Sequence, residues 1–236
     1  MTADWSVGAA SHKCLTASLI CLSLAQPAWA LPAPTASQQP DDAPPSTPLP
    51  DSQLRAPPPL GLTGFCVRDP GQCLMTDTPA RMTLTEANWT LMRRVNREVN
   101  DNIAPISDIA HYGRKEYWTI PTDGWGDCED YALAKRADLM AAGLPENALR
   151  MAVVRTFRNA LHAVLVVATD RGDYVLDSLE TDVEPWKDED YGWIEEQGPH
   201  GPRDWVALES PQRIAQATRQ PTSALPRFQG SRLTTC

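Results

Sequence analysis

Two apolar runs, His162–Ala168 and Asp173–Leu179, flank the turn-rich tetrapeptide Thr169-Asp170-Arg171-Gly172. Runs of this length and composition, broken by such a turn, form an antiparallel hairpin. Each run carries one residue with chemistry to offer, His162 in the first and Asp177 in the second. With a four-residue loop, the numbers of paired residues sum to 341; with a two-residue loop at 169–170 they sum to 339. Either odd sum places His162 and Asp177 on one face, near one end of the ribbon, because strand side chains alternate with period two. An odd-length loop would separate them. The hairpin alone can therefore hold an imidazole beside a carboxylate that orients it.

The rest of the chain reads as a mixture of helices and short strands. Thr85-Glu86-Ala87-Asn88-Trp89 opens a helix that runs to about Asn102, with Asn88, Met92, Val95 and Val99 on one face, Arg93, Arg94 and Arg97 elsewhere, and Pro105 beyond its end. A second helix runs from Asp127 to about Ala142 and closes on Gly143. Leu149–Arg155 reads as a strand, and Trp193-Ile194 and Trp205–Leu208 as further short ones. Tyr117–Pro121 is an extended run stopped by proline. The class is α+β.

The two ends differ from the middle. Lys13, the apolar stretch Leu15–Ala25 and Ala28-Trp29-Ala30 have the form of a secretory signal peptide over 1–30, cleaved after Ala30. The apolar stretch is too short to span a bilayer well, and no later segment resembles a membrane helix. Ile20 before Cys21 stands where lipid attachment requires a small residue. The mature chain is expected to be periplasmic or secreted. Residues 31–60 are rich in Pro, Ala, Ser, Gln and Asp and read as a disordered tether. The folded domain is expected over 61–210, with a flexible tail over 211–236.

Export bears on the cysteines. Cys66 and Cys73 frame a Pro-Gly turn, a spacing that suits a short-loop disulfide in an oxidising compartment. Cys236 is the last residue, and Cys128 is a candidate reactive thiol. The net charge of -9 disfavours nucleic acid as a partner, since phosphate contacts need clustered Lys and Arg.

Cys128 falls in the first turn of its helix, where backbone N–H groups and the helix dipole stabilise a thiolate. Its neighbours Asp127, Glu129 and Asp130 work against that. Either a cation sits among them or the sulfur relies on His162 as an imidazolium partner. Taken singly, these residues have ordinary readings: a packed cysteine, an N-cap Asp127 with Asp130 completing a capping-box-like pair, a strand end at Asp177. Taken together, Cys, His and Asp follow one another in the order and on the elements of a thiol acyl-transfer site.

Tyr117-Trp118-Thr119-Ile120-Pro121, Gly126-Asp127-Cys128-Glu129-Asp130-Tyr131-Ala132, His162-Ala163-Val164-Leu165 and Val175-Leu176-Asp177-Ser178 resemble the bacterial transglutaminase-like cysteine proteinases, which include the LapG-type periplasmic proteases. The resemblance covers about Gly61 to Leu208. It implies a papain-like, transglutaminase-like fold with a catalytic helix packed on an antiparallel sheet. It implies Cys128 as nucleophile, His162 as general base and acid, and Asp177 as orienter. It also implies a calcium ion beside the nucleophile, with Asp127 and Glu129 as ligands and Asp130 as a weaker candidate. A protein substrate, a large surface adhesin, and an inner-membrane regulator belong to the same implication. The oxyanion would lie against the Cys128 backbone N–H and one further donor, for which the Trp118 and Trp125 indoles are candidates. Two other readings stay open: transglutaminase or amidase acyl transfer to an amine, and a secreted binding module that keeps the fold without turnover.

Overall fold

The computed structural model describes residues 39–208. The expected signal peptide, the first part of the tether and the C-terminal tail with Cys236 lie outside the described residues. The described chain runs β1 (Arg55–Ala56), α1 (Leu60–Arg68), α2 (Glu86–Asn102), β2 (Ala104–Pro105), α3 (Asp108–Tyr112), β3 (Trp125–Gly126), α4 (Cys128–Ala141), β4 (Leu149–Arg155), β5 (Leu161–Thr169), β6 (Gly172–Leu176), β7 (Glu184–Pro185), β8 (Gly192–Gln197) and β9 (Trp205–Ala207). No described helix is long and apolar enough to cross a membrane.

Seven strands form one antiparallel sheet in the order β1-β9-β8-β4-β5-β6-β7. β2 and β3 form a separate parallel pair. Alternation along β5 decides what each face buries. Leu165 and Val167 face the main core, shared with Leu176 and Tyr174 of β6 and with Trp89, Met92, Val95 and Val99 of α2 and Leu133 and Leu139 of α4. Val164 and Val166 face the other side, where Val175, Val154, Trp193 and Leu49 bury them, with Trp186 and Tyr191 packed alongside. α2 begins as its sequence foretells: the Thr85 hydroxyl accepts from the Asn88 N–H at 3.2 Å. Cys66 and Cys73 are joined by a disulfide across the turn after α1.

The hairpin takes the register that sums to 341, with Leu165 opposite Leu176 and Ala168 opposite Asp173. Thr169 and Gly172 also pair, so the loop itself is only Asp170-Arg171. Gly172 takes a φ of +118°, open to glycine at little cost. β6 stops at Leu176 rather than continuing to Leu179. Beyond it, Asn100 Nδ2 of α2 donates to the Asp177 and Glu180 carbonyls, each at 2.9 Å, and Asn96 Nδ2 to those of Glu180 and Thr181 at 3.1 Å. These amide contacts pull the chain out of the ladder.

The proline-rich segment departs from expectation. From residue 39 onward it is a strap laid against the sheet, and the fold begins before Gly61. Its carbonyls accept from the domain: Pro44 from the Tyr174 hydroxyl at 2.8 Å, and Thr47 from the Trp186 indole at 2.8 Å and the Asp173 N–H at 3.1 Å. The Leu49 N–H donates to Asp173 Oδ2 at 2.7 Å, and its side chain is 5% exposed. β1 then pairs with β9 and extends the sheet. Proline removes donors but leaves every carbonyl, so a donor-rich surface can order such a segment.

Candidate active site

α4 points its first residue at β5. The β5–β6 ladder ends at Leu165–Leu176, and beyond that end the Ala163 N–H donates to Cys128 Sγ at 3.1 Å. The sulfur is 1% exposed and also lies 3.2 Å from Glu129 Oε2. It thus sits at the strand edge, against the residue that follows His162.

By the alternation of β5, His162 shares the face of Val164 and Val166. His162 Nε2 and Asp177 Oδ1 are 2.7 Å apart, with both residues buried. Asp177 Oδ1 also accepts from the Leu179 N–H at 2.9 Å, and Oδ2 accepts from the Tyr191 hydroxyl at 2.5 Å. Burial alone would raise the Asp177 pKa. The His162 charge and the hydrogen bonds from His162, Tyr191 and Leu179 outweigh it and hold the carboxyl below its usual value. An ionised carboxylate only accepts, so the proton between the two groups is carried on Nε2.

Two turns along α4 from Cys128, on the same face, Lys135 is fully buried. Its Nζ makes no hydrogen bond to a described residue. Burial lowers its pKa to about 7, opposed in part by the Asp177 charge.

The acids around Cys128 divide into two kinds. Asp127 occupies the N-cap position but makes no capping hydrogen bond to its own helix; its Oδ2 accepts from the Asp108 N–H of α3 at 3.1 Å. Asp130 Oδ1 accepts from the Thr119 N–H at 2.7 Å, and Asp108 Oδ2 from the Tyr117 N–H. One oxygen from each of Asp108, Asp127 and Asp130 lies within 4.8 Å of the others. Asp108 Oδ1, Asp127 Oδ1 and Asp130 Oδ2 are buried without a hydrogen-bond partner. Burial first, and the crowding of like charges after it, raises all three pKa values, Asp127 to about 6 and Asp130 to about 8. Three buried carboxylates this close together, each with one oxygen left unpartnered, fit a hard divalent cation.

Glu129, expected as a metal ligand with Asp127, is not in this group. Its carboxyl turns toward the Cys128 sulfur, and burial followed by the Asp127 charge pushes its pKa up to about 10. The group instead contains Asp130 and Asp108; sequence reasoning missed Asp108, which lies on a five-residue helix well before the Cys128 segment. Tyr191 was missed for a similar reason: a lone tyrosine before a short strand carries no motif. Of the indoles, Trp118 Nε1 donates to Glu116 Oε2 at 3.1 Å, while Trp125 is 48% exposed.

Among curated proteins none matches the chain. Similar solved structures are those of Legionella pneumophila LapG. The EGTA-treated form is 27% identical with a TM-score of 0.42, the match covering 48% of this chain and 64% of that one. The calcium-bound form is 26% identical with a TM-score of 0.42, over 48% and 66%. A third LapG structure is 24% identical with a TM-score of 0.45, over 56% and 75%. The matches to the first two span slightly under two thirds of the LapG chain. Residues 53–213 match the sequence profile of one family across most of the described fold. The chain belongs to the bacterial transglutaminase-like cysteine proteinases.

Proposed function

We propose that the protein is an exported cysteine peptidase with Cys128 as nucleophile, His162 as general acid and base, and Asp177 as the group that orients it. The observation that carries this reading is the buried His162–Asp177 pair at 2.7 Å, with the next backbone N–H held on the Cys128 sulfur. The sulfur attacks a peptide carbonyl carbon, and the C–N bond breaks as His162 Nδ1 passes a proton to the leaving amine. Water then takes up position at the thioester, His162 accepts its proton, and the acid is released with the thiolate restored. The Cys128 backbone N–H faces the developing oxyanion.

Asp108, Asp127 and Asp130 would hold a calcium ion. Such an ion supplies positive charge that offsets the carboxylates and ties the start of α4 to α3. The calcium-bound LapG structure gives this choice of cation its precedent. By family resemblance, the enzyme works in the periplasm after loss of residues 1–30. Its protein substrate is a large surface adhesin, and an inner-membrane partner regulates access to it.

The test compares the cell-surface proteome of cells carrying the wild-type chain with that of cells carrying Cys128→Ala. A surface protein cleaved only by the wild type supports peptidase activity, and identical proteomes count against it. Adding a labelled primary amine separates hydrolysis from transfer: label incorporated into protein, in place of new peptide ends, would identify an acyltransferase instead.

A further inference from the structure

The loop between β7 and β8 delivers one side chain to the His162–Asp177 pair. Tyr191 immediately precedes β8, and its N–H donates to the Glu189 carbonyl at 2.9 Å, which fixes the approach of the loop. Its ring packs on the same sheet face as Val164 and Val175 and meets the His162 ring edge-on, with centroids 5.9 Å apart and planes at 62°. Its hydroxyl donates to Asp177 Oδ2 at 2.5 Å. Oδ1 is shared between His162 Nε2 and the Leu179 N–H, so Tyr191 supplies the hydrogen bond that Oδ2 makes among the described residues.

A carboxylate held through one oxygen can rotate about its Cβ–Cγ bond, and a buried oxygen left without a donor costs free energy. The hydroxyl removes both problems. The ring closes one side of the imidazole, where an edge-on aromatic contact favours a fixed orientation. We propose that Tyr191 is a positioning residue for the peptidase site: it locks the rotation of the Asp177 carboxylate and fences the His162 ring, so that the second ring nitrogen is presented to Cys128. The inference rests on the catalytic reading above and adds a fourth side chain to it. Burial and the Asp177 charge push the Tyr191 phenol far above its usual pKa, so it remains a donor across the working pH range. The other charged groups facing Asp177 are His162 from β5, Lys135 from α4, Glu180 on the loop after Asp177, and Glu189 beside Tyr191.

The substrate being unidentified, the probe is iodoacetamide, and the readout is the alkylation rate of the Cys128-containing peptide of the full chain, reduced with dithiothreitol and freed of it beforehand, followed by mass spectrometry from pH 4 to pH 9. Tyr191→Phe keeps the ring and removes the donor; Tyr191→Ala removes both. In Tyr191→Phe the rate at pH 7 is expected to fall about tenfold, a typical loss for a misaligned acid–base pair. Loss of a hydrogen bond to the charged carboxylate weakens its support of a protonated imidazole beside the thiolate, so the acid limb of the profile moves to higher pH. The melting temperature of Tyr191→Phe stays close to wild type, since its packing is kept. The proton shared by His162 Nε2 and Asp177 Oδ1, observed by NMR in histidine-labelled protein, shifts in the same variant. A wild-type rate, pH profile and proton shift in Tyr191→Phe would overturn the inference while leaving the peptidase reading intact. Should wild-type Cys128 alkylate no faster than glutathione at pH 7, the catalytic reading falls and the inference with it.

Discussion

Replacing Lys135 with methionine should make the protein more stable, and more so at pH 6 than at pH 9.5. Lys135 is fully buried on the face of α4 that carries Cys128, with its Nζ making no hydrogen bond to a described residue. Its pKa falls from 10.5 to about 7, first through burial. At ~1.4 kcal/mol per pH unit, this makes the charged form cost on the order of 5 kcal/mol to bury. Between pH 7 and pH 10.5 the unfolded chain holds a proton that the folded chain has lost, so the wild type gains stability as pH rises through this window. Below pH 7 the full cost applies. Methionine is similar in length, apolar and adaptable, and it removes the charge, so a net gain of roughly 2–4 kcal/mol is expected at pH 6 after imperfect repacking. At ~2–4 °C per kcal/mol for a chain of this size, the melting temperature rises by roughly 5–15 °C. Urea denaturation at a series of pH values measures the difference directly. A variant less stable than wild type at pH 6, or a difference that stays flat from pH 6 to pH 9.5, would refute the burial argument.

Two further outcomes follow from other parts of the fold. Calcium at ~100 times its dissociation constant should stabilise the wild type by about 2.7 kcal/mol, read as a melting shift against EDTA, and Asp130→Asn should abolish most of that shift; no shift in the wild type would remove Asp108, Asp127 and Asp130 as a cation site. Leu49→Ala should cost about 2–5 kcal/mol in urea denaturation, as for a core leucine, and a cost near zero would mean that the strap is not part of the folded unit.

Elements whose signal is local were readable before any coordinates. The strands at Leu149–Arg155 and Leu161–Thr169, the opening of α2 at Thr85 and the shared face of His162 and Asp177 all follow from patterns a few residues long, whereas the choice between the two hairpin registers does not. What stayed hidden depends on partners distant in sequence. The strap was read as tether because composition counts apolar residues, whereas its anchorage comes from carbonyls meeting Tyr174, Trp186 and Asp173. For Asp127 and Asp130 the sequence left two readings open, helix-start caps or metal ligands. Only the backbone N–H groups of Asp108 and Thr119 reveal that both carboxylates turn away from capping. The family match places Glu129 beside Asp127 as a ligand; in the fold it stands outside the three-aspartate group, with its carboxyl 3.2 Å from the Cys128 sulfur.

The imidazole and its carboxylate lie just past the open end of one hairpin whose turn is two residues long, whereas the sulfur arrives on a separate helix. Ring and carboxylate therefore stay tied to one hairpin and to each other. Their mutual alignment survives any sliding of that helix, while the reach from ring to sulfur does not. Whatever loosens the seating of the helix tip shifts the sulfur alone and leaves the imidazole–carboxylate pair intact.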